Sequence, residues 1–461
     1  MAPCLSLEPF VDPLLIPARI LHNGSPIPVV IQQITRQLHS SLPPTTLWSY
    51  GDKSLAPTIE VRRNQPLTVQ WVHRINDAQT LPIKVVTESY VEPATNLPAV
   101  PIPQNSPGSA NAQVVAGTDK LKAHMVVHLH GGRTEADSDG WPDNVIEFGQ
   151  TQTSHYQNDQ RARMLWYHDH AMSVTRLNVY AGLAGLYLIR DDEEDHLNLP
   201  TGDHEIPLLI VDRNFETKAD GTFTGQLLHK TETGAGVMEF FGPYTLVNGT
   251  VWPHHEVKAE SYRLRLLNGS NARTYRLVFC REVKGDWEPI ASTAGFIKQI
   301  GTDAGLLAQA VDVPGDGLVL ASAERADLMV DFSQFPGEKI RIYNTAKAPF
   351  DGSAYTGAPD APALDDRRPC PQVMEFRVRA KNKSAKAPYK VPSPLSSFRW
   401  KSHSEISHAK HRLVALVEKS GRLELHEMCP VSVDVEGRTI SSFNLSAAVP
   451  ADDLADRKSV V

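Results

Sequence analysis

Two histidine pairs with the same spacing, His128-Leu129-His130 and His168-Asp169-His170, constrain this chain more than any other feature. In a β-strand, residues i and i+2 point to one face, so each pair can aim two imidazoles at one point. The flanks favour strands: His124-Met-Val-Val-His128 is β-rich, and Met164-Leu-Trp-Tyr167 is apolar and aromatic. Gly131 and Gly132 follow the first pair and let the backbone turn away close to whatever the imidazoles hold. A single His-x-His is commonly chance. Two of them forty positions apart, each in an aromatic or Gly-Gly setting, point to a metal. Neutral imidazole suits copper, zinc, iron or nickel. With no cysteine nearby and no Glu-x-x-His pattern, copper is favoured over structural zinc or a di-iron carboxylate site.

Composition narrows the fold. A chain of 461 residues has room for two to three domains, and 34 Pro with 29 Gly against a hydrophobic share of 41% imply many turns and short strands. An all-β chain is expected. The net charge of −7 is spread out and makes no case for nucleic-acid binding. The basic run Lys381-Asn-Lys383-Ser-Ala-Lys386 reads as solvated linker. Cys4, Cys280, Cys370 and Cys429 are scattered with no C-x-x-C, which indicates neither a disulfide framework nor a zinc cluster. The N-terminus reaches Glu8 and Asp12 without a charged region and apolar run, and no apolar stretch approaches about eighteen residues. No secretory signal or membrane span is readable, so a cytoplasmic protein is expected.

A resemblance enters on longer motifs. His128-Leu-His130-Gly-Gly is followed by Asp137-Ser-Asp139-Gly-Trp-Pro142, and Trp166-Tyr-His168-Asp-His170-Ala-Met is followed by Thr175-Arg176-Leu-Asn178-Val-Tyr180-Ala-Gly182. These resemble the first two copper-ligand motifs of multicopper oxidases, in the branch of spore-coat laccases, bilirubin oxidases and phenoxazinone (o-aminophenol) synthases. The resemblance implies tandem cupredoxin-like Greek-key β-barrels. It implies oxidation of phenol, aminophenol or bilirubin-type donors, one electron at a time, with reduction of dioxygen to water. It assigns His128 to a type 2 copper and His130, His168 and His170 to a type 3 pair. It also places Asp139 near the water exit of the copper cluster, where it can manage protons in catalysis; Asp137 is a turn residue.

Taken in order, residues 1–195 read as the first, copper-bearing cupredoxin-like domain. After a Pro-rich lead, Ile27–Ile31, Thr45–Tyr50, Thr58–Arg62 and Pro66–Val72 look like strands, the last two alternating apolar and polar residues. Pro93–Thr118 reads as a long surface loop. A short helix is expected over Ala171–Tyr180, then a strand to Ile189. The charge run Asp191–Asp195 reads as a solvated linker. Residues 200–380 read as a second, structural domain with strands at Glu205–Arg213, Tyr244–Gly249, Tyr262–Asn268 and Ala323–Phe332. The adjacent His254 and His255 diverge in any regular element and read as surface. Residues 345–395 look like a Pro/Ala/Asp-rich connection.

Residues 396–461 open a third domain of the same type, with strands at His411–Glu418 and Arg422–Met428, and the chain is expected to be C-terminally truncated. Neither the His-Pro-x-His-x-His stretch nor the His-Cys-His segment of the family occurs; Cys429 is followed by Pro430, and His403, His408 and His411 fit neither motif. The expected cofactor is therefore copper in a type 2/type 3 half-site, with the type 1 site absent. Oxidase activity by this chain is expected to be impaired. One alternative is a non-catalytic copper-binding or scaffold relative; another is a gene product that continues with the missing ligands. The expected partners are a small phenolic or aminophenolic molecule and dioxygen, with no nucleic acid and no membrane.

Overall fold

In Leu67-Thr-Val-Gln-Trp-Val-His73 every second side chain is apolar up to Trp71, and a computed structural model of the chain buries Leu67, Val69 and Trp71 while Gln70 faces solvent. The structure describes residues 7–51, 56–88, 113–218, 220–232, 239–291, 295–363, 368–381, 387–399, 401–407, 413–419, 422–435 and 438–444. The Pro93–Thr118 stretch and the Lys381–Lys386 run lie largely outside these.

The same alternation builds the first sandwich. Its strands are β1 (Arg19–Leu21), β2 (Ile27–Arg36), β3 (Thr45–Tyr50), β4 (Thr58–Arg62), β5 (Leu67–His73), β6 (Ile83–Glu88), β7 (Gln113–Val114), β8 (Val127–His130), β9 (Thr151–Tyr156), β10 (Arg163–Asp169) and β11 (Ala184–Arg190). One sheet has the order β1-β4-β11-β10-β8, and the facing sheet β3-β2-β5-β9. Between them lies an apolar core that includes Ile59, Trp71, Leu129 and Tyr167. Tyr167 meets Tyr50 and Trp71 at ring distances of 5.2 and 5.0 Å, and its hydroxyl donates to the Pro57 carbonyl at 2.6 Å. Truncating such a side chain costs about 3–5 kcal/mol. The short helix expected after His170 is α1 (Thr175–Ala181).

Strands β12 (Glu205–Arg213), β13 (Phe215–Thr217) and β14 (Phe223–Glu232) lead onward, and β14 pairs in parallel with β6, leaving β13 and β7 at the sheet edges. A second sandwich packs a seven-stranded sheet, with β12, Ser261–Asn268 and Arg325–Asp331 at its centre, against a sheet holding Tyr275–Val283, Lys339–Asn344 and Gln372–Val378. Its separate core includes Leu264, Leu277, Phe332 and Phe376. Mostly-β architecture is thus as expected. Residues 345–395 are not all connection: Gln372–Val378 is a buried strand paired with Lys339–Asn344. His254 and His255 lie half-buried on a strand, His254 Nδ1 donating to the Phe10 carbonyl at 3.1 Å.

The charge run after β11 departs most from the expected solvated linker. Asp191 caps a short helix, α2 (Asp192–His196), through the Glu194 amide. Glu194 is buried, with Arg265 Nη2 at 2.7 Å, while Glu205 meets Arg190 Nη2 at 2.7 Å and Arg265 Nε at 2.8 Å. Arg263 Nη2 lies 2.6 Å from Asp327. Burial alone would raise Glu194, but Arg263, Arg265 and Arg190 outweigh it and bring its carboxyl down to about 2. Three guanidiniums from two sandwiches explain why one residue of an acidic run turns inward. Cys370 is disulfide-bonded, although the scattered cysteines indicated no disulfide framework, whereas Cys280 is free and buried.

The described residues from Arg399 onward form a unit of their own. It holds α3 (His403–Ile406), capped by Ser402, and an antiparallel sheet of Leu413–Lys419, Arg422–Val435 and Arg438–Asn444.

Candidate metal centre

β8 and β10 pair antiparallel with Trp166 opposite His130, Tyr167 opposite Leu129, and His168 opposite His128. Leu129 and Tyr167 face the core, so period-two alternation sends His128, His130, Trp166 and His168 to the other face. The register therefore makes His128 and His168 a direct cross-strand pair. Ligand nitrogens of His128, His130 and His168 all lie within 4.8 Å of one another. His170 follows β10; its ring centroid is 5.2 Å from that of His128 and 5.7 Å from that of His168. All four predicted histidines thus neighbour one point, with three in the tight group.

Two of the rings, His128 and His168, are oriented from behind. His128 Nδ1 is 2.6 Å from the Asp139 carbonyl oxygen and His168 Nδ1 is 2.7 Å from the Asp169 carbonyl oxygen. A carbonyl only accepts, so both protons sit on Nδ1 and both Nε2 atoms keep a lone pair. His130 Nδ1 lies 3.2 Å from His168 Nε2. Two nitrogens so placed share a proton or face one cation. Two imidazole–metal bonds of about 2.0 Å at a near-tetrahedral angle place their nitrogens about 3.3 Å apart, so the donor set fits a metal. Trp166 walls the group, its ring 4.1 Å from His168 and 5.1 Å from His130.

Burial favours the neutral form of His128, His130 and His168. Burial lowers His128 and holds His168 well below the usual imidazole range. Burial and then the Arg325 guanidinium bring His130 down to about 4. A metal requires unprotonated ligands, and these are unprotonated without its help.

Of Asp137 and Asp139 in the loop after β8, Asp139 reaches the centre. Its carboxylate is 3.6 Å from His128 Nδ1 and accepts from Thr134 Oγ1 at 2.6 Å. Asp137 accepts from Ser138 Oγ, as a turn residue does. Gly140 (φ +82°) lets this loop press on β8, since a Cβ there would stand 2.3 Å from the Val127 carbonyl oxygen.

Sequence reasoning overlooked four supporting residues. Asp169, fully buried between two ligands, accepts from the Val126 and Ala171 amides (3.1 Å each) and from Asn178 Nδ2 (2.9 Å). Burial pushes its carboxyl up to about 7 against those donors. Asn178 also donates to the His124 carbonyl. Gln152 binds Val127 twice, at the amide (2.8 Å) and the carbonyl (2.7 Å), standing in for a neighbouring strand at the edge of β8. Arg325 arrives from the second sandwich. Only Asp169 had a legible signal: residue i+1 between two strand ligands must face inward. His408 and His411 lie outside the described residues, as does the side chain of His403.

Residues 99–194 match the multicopper oxidase family model. A laccase of Bacillus subtilis (strain 168) is 34% identical over 435 residues, covering 91% of this chain and 75% of that protein. A bilirubin oxidase of Albifimbria verrucaria is 36% identical over 233 residues, covering 50% of this chain and 38% of that protein. Among solved structures, the McoA multicopper oxidase of Aquifex aeolicus superposes with a TM-score of 0.65 at 25% identity, covering 90% of this chain and 74% of that one.

Proposed function

Because the chain belongs to the multicopper oxidase family, whose members are copper-dependent oxidoreductases, we propose that His128, His130, His168 and His170 hold copper as a type 2/type 3 half-site. The observation that carries this is the cross-strand pair His128 and His168, each with Nδ1 tied to a carbonyl and Nε2 free to ligate. Bound copper supplies one-electron redox chemistry. The chain's own part is to present neutral imidazoles, exclude water behind Trp166, and keep a carboxylate at hand. Asp139, partly exposed and beside His128 Nδ1, carries protons between solvent and the centre.

The relatives named laccase and bilirubin oxidase suggest phenolic, aminophenolic or bilirubin-type donors, with dioxygen as acceptor. A second reading, copper binding without turnover by these 461 residues, is favoured by the cysteines. None is flanked by histidine; Cys280 is buried and Cys370 is disulfide-bonded, so neither offers a thiolate for a type 1 site. Metal analysis after dialysis tests the copper reading: one or two coppers per chain are expected, lost in His128→Ala and His168→Ala. Unchanged copper in both variants would overturn it.

A further inference from the structure

β8 is the last strand of its sheet, yet it carries two of the proposed ligands. On the loop side it is held by Gln152 and the Asp139 carbonyl. At its C-terminal end, just past His130, the chain turns at Gly131 with φ +80°. The group against that turn comes from the other sandwich. A Cβ on Gly131 would stand 2.9 Å from Arg325 Nη2 and 3.1 Å from Leu165 Cδ2. Arg325 opens the Arg325–Asp331 strand, and its side chain is only 5% exposed.

Its guanidinium is fixed at every other corner. Nε donates to the Met164 carbonyl at 3.2 Å, and Met164 belongs to β10, the strand that carries His168. Nη1 donates to the Ala323 carbonyl at 2.9 Å. The Asp303 carboxylate takes the Arg325 amide at 2.6 Å and lies 3.4 Å from Nε. Among the described residues Nη2 meets no acceptor; its neighbour is the turn itself. A planar guanidinium so clamped is a rigid plate, which a flexible ammonium is not.

We infer that Arg325 is a positioning residue for the metal centre: anchored in the second sandwich, it bridges to the His168 strand and braces the Gly131 turn, fixing where His130 points. This rests on the copper reading above. Such outer contacts govern metal affinity through ligand orientation, and losing one typically weakens binding about 10–100-fold. Among the described residues Arg325 makes no hydrogen bond to a ligand nitrogen; its positioning contacts run through backbone.

The test measures copper(II) affinity and the copper(II) electron paramagnetic resonance spectrum of the full chain, with circular dichroism as the fold check. Arg325→Met is expected to bind copper about tenfold more weakly or worse and to shift the hyperfine splitting, which a loss of stability alone does not do. Arg325→Lys keeps the charge but cannot bridge Met164 and Ala323 while lying against Gly131, and should fall between wild type and Arg325→Met. It carries the test should Arg325→Met not fold. Gly131→Ala adds a coupling arm: its loss of affinity should be smaller in the Arg325 variant than in wild type, because part of it is collision with Nη2. Wild-type affinity and spectrum in the Arg325 variants, or equal Gly131→Ala losses in both backgrounds, overturn the inference. Absence of copper binding in wild type itself overturns the copper reading, and this inference with it.

Discussion

His128 is held by the backbone of Asp139, its Nδ1 2.6 Å from that residue's carbonyl oxygen, while the Asp139 carboxylate stands off at 3.6 Å. The two contacts separate experimentally. Asp139→Ala removes the carboxylate and leaves the carbonyl, so copper affinity should change by less than the roughly tenfold expected of a lost orienting contact. Gly140→Ala disturbs the carbonyl, because its Cβ would stand 2.3 Å from the Val127 carbonyl oxygen at a φ of +82°. It should weaken copper about tenfold or more. Isothermal titration of both variants checks this; the reverse order would make the carboxylate, not the carbonyl, the support of His128.

Asp169 ties the two ligand stretches together through the Val126 amide, the Ala171 amide and Asn178. Asp169→Ala strands three buried donors. Each unsatisfied group costs about 1–3 kcal/mol, so the variant should rank among the most damaging in the first sandwich. Asn178→Ala, which takes the donor from the His124 carbonyl while Asp169 Oδ2 keeps the Ala171 amide, should cost less. Chemical denaturation of the metal-free protein ranks them, and equal midpoints for Asp169→Ala and wild type would count against the role given to Asp169.

How much of this was legible in the sequence follows from the range of each interaction. His128, His130 and His168 sat on strands as expected because period-two alternation is local, with His170 one residue past the end of β10, and the inward face of Leu129 and Tyr167 followed with it. The register that sets His128 opposite His168 is not local. Arg325 was invisible because its contact with Gly131 spans nearly two hundred positions and carries no pattern. Asp191–Asp195 misled because acidic runs are usually solvated, whereas Glu194 has buried guanidiniums waiting on a strand seventy residues on. Gln372-Val-Met-Glu-Phe-Arg-Val378 was readable as a strand, but the Pro/Ala/Asp-rich surroundings hid it.

The buried charge network predicts acid sensitivity. Glu194 has a folded pKa of about 2, below the ordinary 4.5, so the unfolded chain binds more protons between those values. Its stabilising contribution is present above about pH 4.5 and is lost as the pH falls toward 2. For one carboxylate the amount is on the order of 3 kcal/mol. Glu205, also held below its usual range against the cost of burial, adds in the same direction. Unfolding free energies from pH 7 to 3 should fall more steeply for wild type than for Glu194→Gln, although the variant is less stable at neutral pH. Parallel curves would remove Glu194 from the account.

Without a histidine-flanked thiolate, the copper-loaded 461-residue chain should show no intense thiolate-to-copper absorption in the red and no measurable turnover of an aminophenol or a simple phenol. Spectrophotometry on the loaded protein checks both. A blue protein would mean that Cys4 or Cys429 serves as a ligand after all.

The last prediction concerns where the chain can be cut. The unit from Arg399 onward shows three strands in its sheet among the described residues, and open sheet edges promote association. Removing it should therefore improve solubility and leave copper binding at His128, His130, His168 and His170 unchanged. The position of the cut matters. Leu395 is buried with Leu199, Ile300 and Met329. Ser396 Oγ donates to the Leu307 carbonyl at 3.0 Å, and the Ser397 amide donates to Glu193 at 2.6 Å. A chain ending at Phe398 keeps all of these. One ending at 394 opens a cavity under the seven-stranded sheet and takes the Ser397 amide from Glu193, which keeps Arg161, at a cost of about 2–5 kcal/mol for the leucine alone. Size-exclusion chromatography and thermal melts of the two shortened chains compare them directly. Equal melting temperatures would show that the 395–398 segment contributes nothing to the second sandwich, and stronger association of the 398-residue chain than of the full one would show that the C-terminal unit protects rather than exposes.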